Sequence, residues 1–438
     1  MADNPLQNLI RAPELRNKIL FTLFILLVYR LGSHITVPGL DLVALRATFA
    51  SLEGTLFGIY DMFVGGGLSR ATVLALGIMP YISASIMFQL LSTVFPTIQK
   101  LQKEGEQGRK KLTQWTRYTT IGLAAAQAYG YAQYLMAQGV VPDPGMGFVF
   151  VTMFTLTGGA IFVMWLGEQI TEHGIGNGMS LLIFFSIIQS FPTAVARTVE
   201  AWSTDQIGLP KLALLVAVVV GVTAGVVAMT MASRRIPVQI PRKVLSRGRV
   251  REGQKSFIPL RINSAGVMPI IFAQSFIVVP GTLGTFFPNV PGLDVLAEFF
   301  QPNTVLYYLT YGALIIFFTY FYTAIIFNPV DLSENLKKQG GFIPGVKPGA
   351  RTAEYIDRVL TRVTLPGSIY LALIALVPFW ILDIFTINTF FFGGTSLLIV
   401  VGVGLDTVQQ AQQLLLLRRY DGFMKQGRVK MRGRQRYM

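Results

Sequence analysis

Hydrophobic residues in this chain gather into long uninterrupted runs separated by short charged segments. Stretches without Asp, Glu, Lys or Arg cover residues 71 to 99, 118 to 142, 144 to 167, 174 to 196, 212 to 233, 262 to 293, 299 to 330, 363 to 382 and 384 to 405. Each reaches the ~20 residues that a helix needs to cross a bilayer. A further apolar run, Ile19 to Val28, follows Arg11, Arg16 and Lys18. It is short for a crossing and resembles a signal peptide. Tyr29, Arg30 and the turn Val37-Pro38-Gly39 come after it instead of a small-residue cleavage site, so it reads as a retained first span. The pattern predicts an all-α polytopic membrane protein with ten transmembrane helices. Pro80, Pro269, Pro366 and Pro378 fall inside spans, which a bundle tolerates where neighbours satisfy the freed backbone groups.

Between the first two spans lies a long loop, about Pro38 to Ala71. It contains Tyr60-Asp61-Met62-Phe63-Val64-Gly65-Gly66-Gly67, half apolar and too short to span. A re-entrant segment over about 56–68 is expected, surrounded by protein or water. An even number of spans puts both termini on one side. All but five of the 37 Lys and Arg fall on that side, the exceptions being Arg30, Arg46, Arg70, Arg197 and Lys211, so both termini are expected in the cytoplasm. The ten spans divide five and five near Ala201 to Pro210, giving halves 1–205 and 206–438 of opposite orientation. That is the topology of an inverted repeat, although no residue-by-residue self-similarity accompanies it.

Composition narrows the chemistry. Charged residues make up 13% of the 438 residues and hydrophobic ones 52%, against ~25% charged in soluble domains. With no Cys and only His34 and His173, disulfide, thiol and Cys/His zinc chemistry are excluded, and neither metal nor cofactor is expected. Nine spans carry no ionisable group, whereas an ion-coupled transporter needs such groups at mid-membrane. Gln89, Asn177, Asn263 and Gln274 are the notable polar residues there, suited either to interhelical hydrogen bonds or to a neutral solute. An inverted-repeat solute carrier therefore stays open as the alternative. Ser180 could serve as an intramembrane nucleophile only with His34 or His173 as base; packing is the simpler role. No HExxH, GxSxG or P-loop occurs, and no enzymatic activity is expected. Gly221 and Gly225 form a GxxxG that points to close helix packing.

The cytoplasmic loops 233–261 and 331–362 are long, basic and rich in Gly and Pro. Anionic lipids attract such segments by about 1 kcal/mol per basic residue. Nine Lys and Arg within 233–261 exceed what orientation requires and suggest docking on a large anionic partner, nucleic-acid phosphate or an acidic protein face.

Several segments carry a specific resemblance. They are Leu76-Gly77-Ile78-Met79-Pro80-Tyr81-Ile82-Ser83-Ala84-Ser85-Ile86, Gly174-Ile175-Gly176-Asn177-Gly178-Met179-Ser180, Arg235-Ile236-Pro237-Val238-Gln239, Ile262 to Pro269, Asn328-Pro329-Val330-Asp331, Gly341 to Thr352 and Gly393 to Ile399. In this order they resemble the SecY family of protein-conducting channels over essentially the whole chain. The resemblance implies two inverted five-helix halves around a central pore, opening sideways to lipid between the second and seventh spans. Such a channel passes unfolded secretory polypeptides and releases transmembrane segments into the bilayer. It implies a pore ring at Ile78, Ile82, Met179, Ile183, Ile271 and Ile399, a plug at Tyr60 to Gly67, and a lateral gate including Ser85, Ile86, Gln89, Asn263 and Gln274. Met179 stands where isoleucine is frequent in the family, and its thioether adapts at least as well to a passing chain. Partner docking is implied at Arg242, Lys243, Arg247, Arg249, Lys347 and Arg351, with lysine at 347 where many relatives have arginine. The implied partners are SecE and SecG subunits, the SecA ATPase motor, the ribosome through its rRNA phosphates, signal sequences and nascent polypeptides. The implied location is the bacterial inner membrane.

Overall fold

The computed structural model describes residues 13–50, 55–239, 244–245, 249–250, 255–286, 304–384 and 394–426. Ten long helices account for the ten expected spans. Five belong to the first half: α1 (Pro13–Gly32), α4 (Met79–Val94), α6 (Glu106–Ala137), α7 (Met146–His173) and α8 (Gly178–Ser203). The other five are α9 (Leu209–Met231), α10 (Met268–Phe286), α11 (Val305–Ile326), α13 (Ala350–Ile384) and α14 (Gly394–Gln426). Shorter helices are α2 (Leu42–Ala50), α3 (Leu56–Val64), α5 (Pro96–Lys103) and α12 (Pro329–Lys338). Helices α7, α8, α9, α11 and α13 are each long and apolar enough to cross a membrane alone, and the bent pair α4–α5 makes a sixth.

The internal repeat that the residues do not spell out is present in the packing. In the first half α6 packs on α4 and α7, α7 on α8, and α1 on α7. The second half repeats these pairings span for span: α11 packs on α10 and α13, α13 on α14, and α9 on α13. The halves meet along two seams, α4 and α6 against α10 on one side, and α8 and α1 against α14 on the other.

Three departures from the expected layout have local causes. The charge-free stretch 71 to 99 is not one helix: residues 68–78 form turns, α4 begins at Met79 with Pro80 in its first turn, and the chain bends by 109° before Pro96. Proline suits the first turn of a helix because its missing N–H has no intrahelical partner there, and it restricts the residue before it. Second, α6, α13 and α14, at 32, 35 and 33 residues, run about 50 Å at 1.5 Å per residue and carry charged ends past any apolar layer. Third, the described parts of the loop 233–261 hold strands. Strand β1 (Ser233–Gln239) pairs antiparallel with β4 (Lys255–Arg261), and the short β2 (Val244–Leu245) pairs with β3 (Arg249–Val250). Burial alternates along β1, with Ile236 and Val238 inward.

Three apolar clusters form among the described residues, the smallest joining Leu15 and Ile175. The large one runs through the bundle. A second one joins Ile236, Val238 and Leu260 of the hairpin to Ile343, Ile356 and Leu360. Gln239 and Phe342 exchange two backbone hydrogen bonds of 2.9 Å, so hairpin and loop 339–349 form one platform.

Candidate functional site

The six positions expected to ring a pore come from four spans. Ile78 caps α4 and Ile82 lies one turn in; Met179 and Ile183 open α8; Ile271 lies on α10 and Ile399 on α14. The five isoleucines are buried in one contiguous apolar cluster, and half-buried Met179 packs against it. Tyr60, Met62, Phe63 and Val64 of α3 belong to the same cluster.

Helix α3 ends in a tight glycine turn. Gly65 and Gly66 take left-handed φ of 72° and 76°, conformations that a Cβ disfavours, and their N–H groups donate to Met62 O and Asp61 O. Asp61 then turns the chain back: its Oδ1 accepts from Leu68 N at 2.8 Å and Ser69 N at 2.9 Å. Gly67 completes the segment with little room, since a Cβ there would stand 2.9 Å from Val64 Cγ1.

The segment's carbonyls are taken by side chains of three first-half spans. Tyr29 of α1 donates to Val64 O at 3.3 Å and is hydrogen-bonded to Ser186 Oγ at 2.8 Å. Gln189 of α8 donates to Gly65 O at 2.6 Å, and Tyr131 of α6 donates to Leu68 O at 2.7 Å. Tyr60 of the segment itself donates to Leu76 O at 3.1 Å. Contacts to the second half are softer. Phe57 meets Phe286 edge-on at 5.6 Å, and Ser396 Oγ donates to Met62 Sδ at 3.4 Å. The segment is thus fastened to the first half by directed bonds and only rests on the second. Sequence reasoning missed Tyr29, Tyr131, Ser186 and Gln189. A polar group inside a charge-free span was the available signal.

Along the α4–α10 seam, Ile86 is buried and Gln89 Nε2 donates to Ser85 Oγ within α4 at 3.1 Å. Gln274 is 1% exposed and lies beside Tyr307 of α11. The neighbouring Ser275 is the residue that reaches α4, donating to Met79 Sδ at 3.7 Å. Asn263 lies in the turn before α10, where its Nδ2 donates to Gly266 O. Asn177, expected to bridge helices or meet a solute, instead caps α8 by accepting from Met179 N and Ser180 N. Ser180 is buried, while His34 bonds to Arg30 O and His173 faces Glu172, so neither base reaches it. Of the GxxxG pair, Gly225 meets Tyr370 and Ile374 of α13, whereas Gly221 faces open space.

Of the basic docking residues, Arg242, Lys243 and Arg247 lie outside the described residues, and Arg249 begins β3. Lys347 and Arg351 are exposed on the platform. The loop that presents them is pinned by Ser333 Oγ donating to Gly349 O at 2.7 Å and Thr352 Oγ1 donating to Lys347 O at 3.0 Å.

Comparison with known proteins gives the family and the fold. The SecY family model matches residues 72–408. The protein translocase subunit SecY of Aquifex aeolicus is 45% identical over 427 residues, covering 96% of this chain and 99% of its own. That of Escherichia coli K12 is 44% identical over 428 residues, covering 96% of each. In fold, the chain is similar to a solved protein-conducting channel, with TM-score 0.67 and 15% identity over 95% of both chains. It is also similar to Sec61 from the canine ribosome–channel complex, with TM-score 0.63 and 15% identity over 95% of both.

Proposed function

The chain belongs to the SecY family, and from that premise we propose that it forms the gated, passive, polypeptide-conducting pore of a protein translocase in a bacterial inner membrane, with both termini cytoplasmic. One observation carries the proposal. Six side chains from α4, α8, α10 and α14 belong to or pack against the apolar core of the bundle, which also takes the buried face of α3. A narrow apolar constriction dewets, which blocks ions while offering a translocating peptide no fixed polar partner. Passage is therefore tolerant of sequence, and the plug covers the constriction between substrates.

The seam between α4 and α10 is the proposed lateral gate, with Ser85, Ile86, Gln89, Asn263 and Gln274 on or beside it. It is held by small and apolar contacts and crossed by the Ser275–Met79 contact, so parting it breaks no ion pair among the described residues. The chain has no P-loop, so energy comes from a partner. The SecA motor and the ribosome are the proposed docking partners of the basic platform, with SecE and SecG as accessory subunits. The platform's charge and the ribosome complex that contains the similar Sec61 support this reading. A solute carrier draws no support from these relatives.

The test is photo-cross-linking from positions 82 and 271 to a stalled nascent chain in the native membrane. Both positions should label the same residue window of the passenger. Saturable transport of a small solute with no passenger labelling would overturn the proposal.

A further inference from the structure

Arg117 and Glu168 each border a charge-free stretch, and the structure joins them across 51 residues of sequence. Arg117 Nε donates to Glu168 Oε1 at 2.8 Å and its Nη2 donates to Oε2 at 2.7 Å, a two-pronged pair between α6 and α7. The pairs Lys110–Glu106, Lys338–Glu334 and Arg358–Glu354 are different, since each lies within one helix, four residues apart and largely exposed. The Glu168 side chain is 16% exposed and that of Arg117 43%, so water reaches the pair mainly from the arginine. A planar guanidinium that grips both carboxylate oxygens fixes direction as well as distance. It therefore sets how α6 and α7 stand to each other, which a pair within one helix cannot do.

Both partners adjoin residues of the proposed ring. On one side Tyr81 of α4 stands within electrostatic reach of both charges, and the next residue in the chain is Ile82. On the other side Gly167, the neighbour of Glu168, presses directly on α8. A Cβ on Gly167 would collide with Met179 Sδ, and a Cβ on Gly178 would collide with Gly167 O. Thr171 Oγ1 locks this junction by donating to Gly167 O at 2.9 Å and accepting from Gly178 N at 3.0 Å. A shift of α7 therefore carries Met179 with it. Tyr81 and Met179 both pack half-buried against the core of the bundle.

We propose that Arg117 and Glu168 are a positioning pair for the pore: acting through Tyr81 and the Gly167–Gly178 junction, they hold α4 and α8 at the spacing that keeps Ile78, Ile82, Met179 and Ile183 closed up as one arc of the ring. The proposal rests on the reading of those residues as a constriction. Removing either partner leaves the other charge uncompensated among packed helices, and the helices part to let water reach it. The arc then slackens, and an apolar constriction that widens holds water and conducts ions.

The test records the resting ion conductance of the full chain in planar bilayers, together with export of a passenger whose signal sequence is weakened. Glu168→Gln should raise conductance several-fold and pass the weak signal more readily. Arg117→Lys keeps the charge but loses the fork, and should fall between this variant and the wild type. Exchanging the partners, Arg117→Glu with Glu168→Arg, should bring conductance back toward the wild-type level. Lys110→Gln, which breaks an exposed pair on the same α6, should leave it unchanged. If Glu168→Gln fails to fold, Arg117→Gln decides. Ile82→Asn separates this inference from the pore reading. A leak in Ile82→Asn with wild-type conductance in the Arg117 and Glu168 variants would overturn the positioning role alone, and no leak in any variant would overturn the ring as well. A leak in Glu168→Gln that persists in a folded exchange variant would also overturn the role, because it would show lost packing and not a lost pair.

Discussion

Removing the Tyr131 hydroxyl should loosen the plug by an amount that the structure sets. Tyr131 is fully buried and donates to Leu68 O at 2.7 Å. Phenylalanine fills the same volume, so Tyr131→Phe leaves the packing and strips one of two donors from Leu68 O, which keeps the bond from Ala71 N at 2.9 Å. Losing one such hydrogen bond without orphaning its acceptor costs about 0.5–1.5 kcal/mol. In the displaced plug that carbonyl is free to hydrate, so the cost falls on the closed state alone. That corresponds to roughly a 2- to 12-fold rise in the displaced fraction. Tyr29→Phe removes the bond to Val64 O at 3.3 Å, a longer contact, and should have a smaller effect. Because the chain lacks cysteine, a single Cys introduced at Phe63, which is 3% exposed, reports displacement through its alkylation rate. When opening is fast relative to alkylation, the rate follows the open population. Alkylation at the wild-type rate in Tyr131→Phe, with a normal melting midpoint, would refute the claim that directed bonds to the first half hold the plug.

Ile82→Asn or Ile399→Asn should raise ion conductance of the resting channel, since a polar side chain lets water persist in the apolar cluster; planar-bilayer recording checks this, and wild-type conductance in both would remove them from the ring. A Cys at Gly340 should react with an impermeant reagent only from the cytoplasmic side, and labelling from outside would reverse the topology. Exchanging Arg242, Arg247, Arg249 and Lys347 for Glu should abolish ribosome co-sedimentation while the helical circular-dichroism signal is kept. Wild-type binding should weaken with salt by roughly 0.7–0.9 in log K per neutralised phosphate per unit of log salt, and an unchanged slope in the variant would clear these residues of docking.

The spans were readable because a bilayer forbids unpaired charge over ~20 residues, so their absence marks each crossing directly. Where a helix starts or breaks was not. The stretch 71 to 99 carries no charge either in its turns or in α4, so only Pro80 and Pro96 hint at the division. The hairpin's signal was present as alternation at Ile236 and Val238, but the basic residues around them dominated the reading. The residues that hold the plug were illegible for a different reason. Tyr29, Tyr131 and Gln189 bond to backbone carbonyls 35, 63 and 124 residues away, and a carbonyl leaves no mark in a sequence. Asn177 was visible as a polar residue in an apolar span, yet its role as a helix cap depends on a boundary that the charge pattern did not locate.

The platform has a mechanical meaning. Its hairpin leaves α9 at Ala232, whose carbonyl accepts from Ile262 N at 3.0 Å, and returns through the turn to α10; its other wall is the start of α13. Among the described residues the handle's struts run into the second half, while most of the plug's hydrogen bonds run to the first. A pull on the handle therefore strains the seam between the halves before it strains those bonds. The mouth can widen sideways while the stopper stays in its seat, and the two movements can be driven separately.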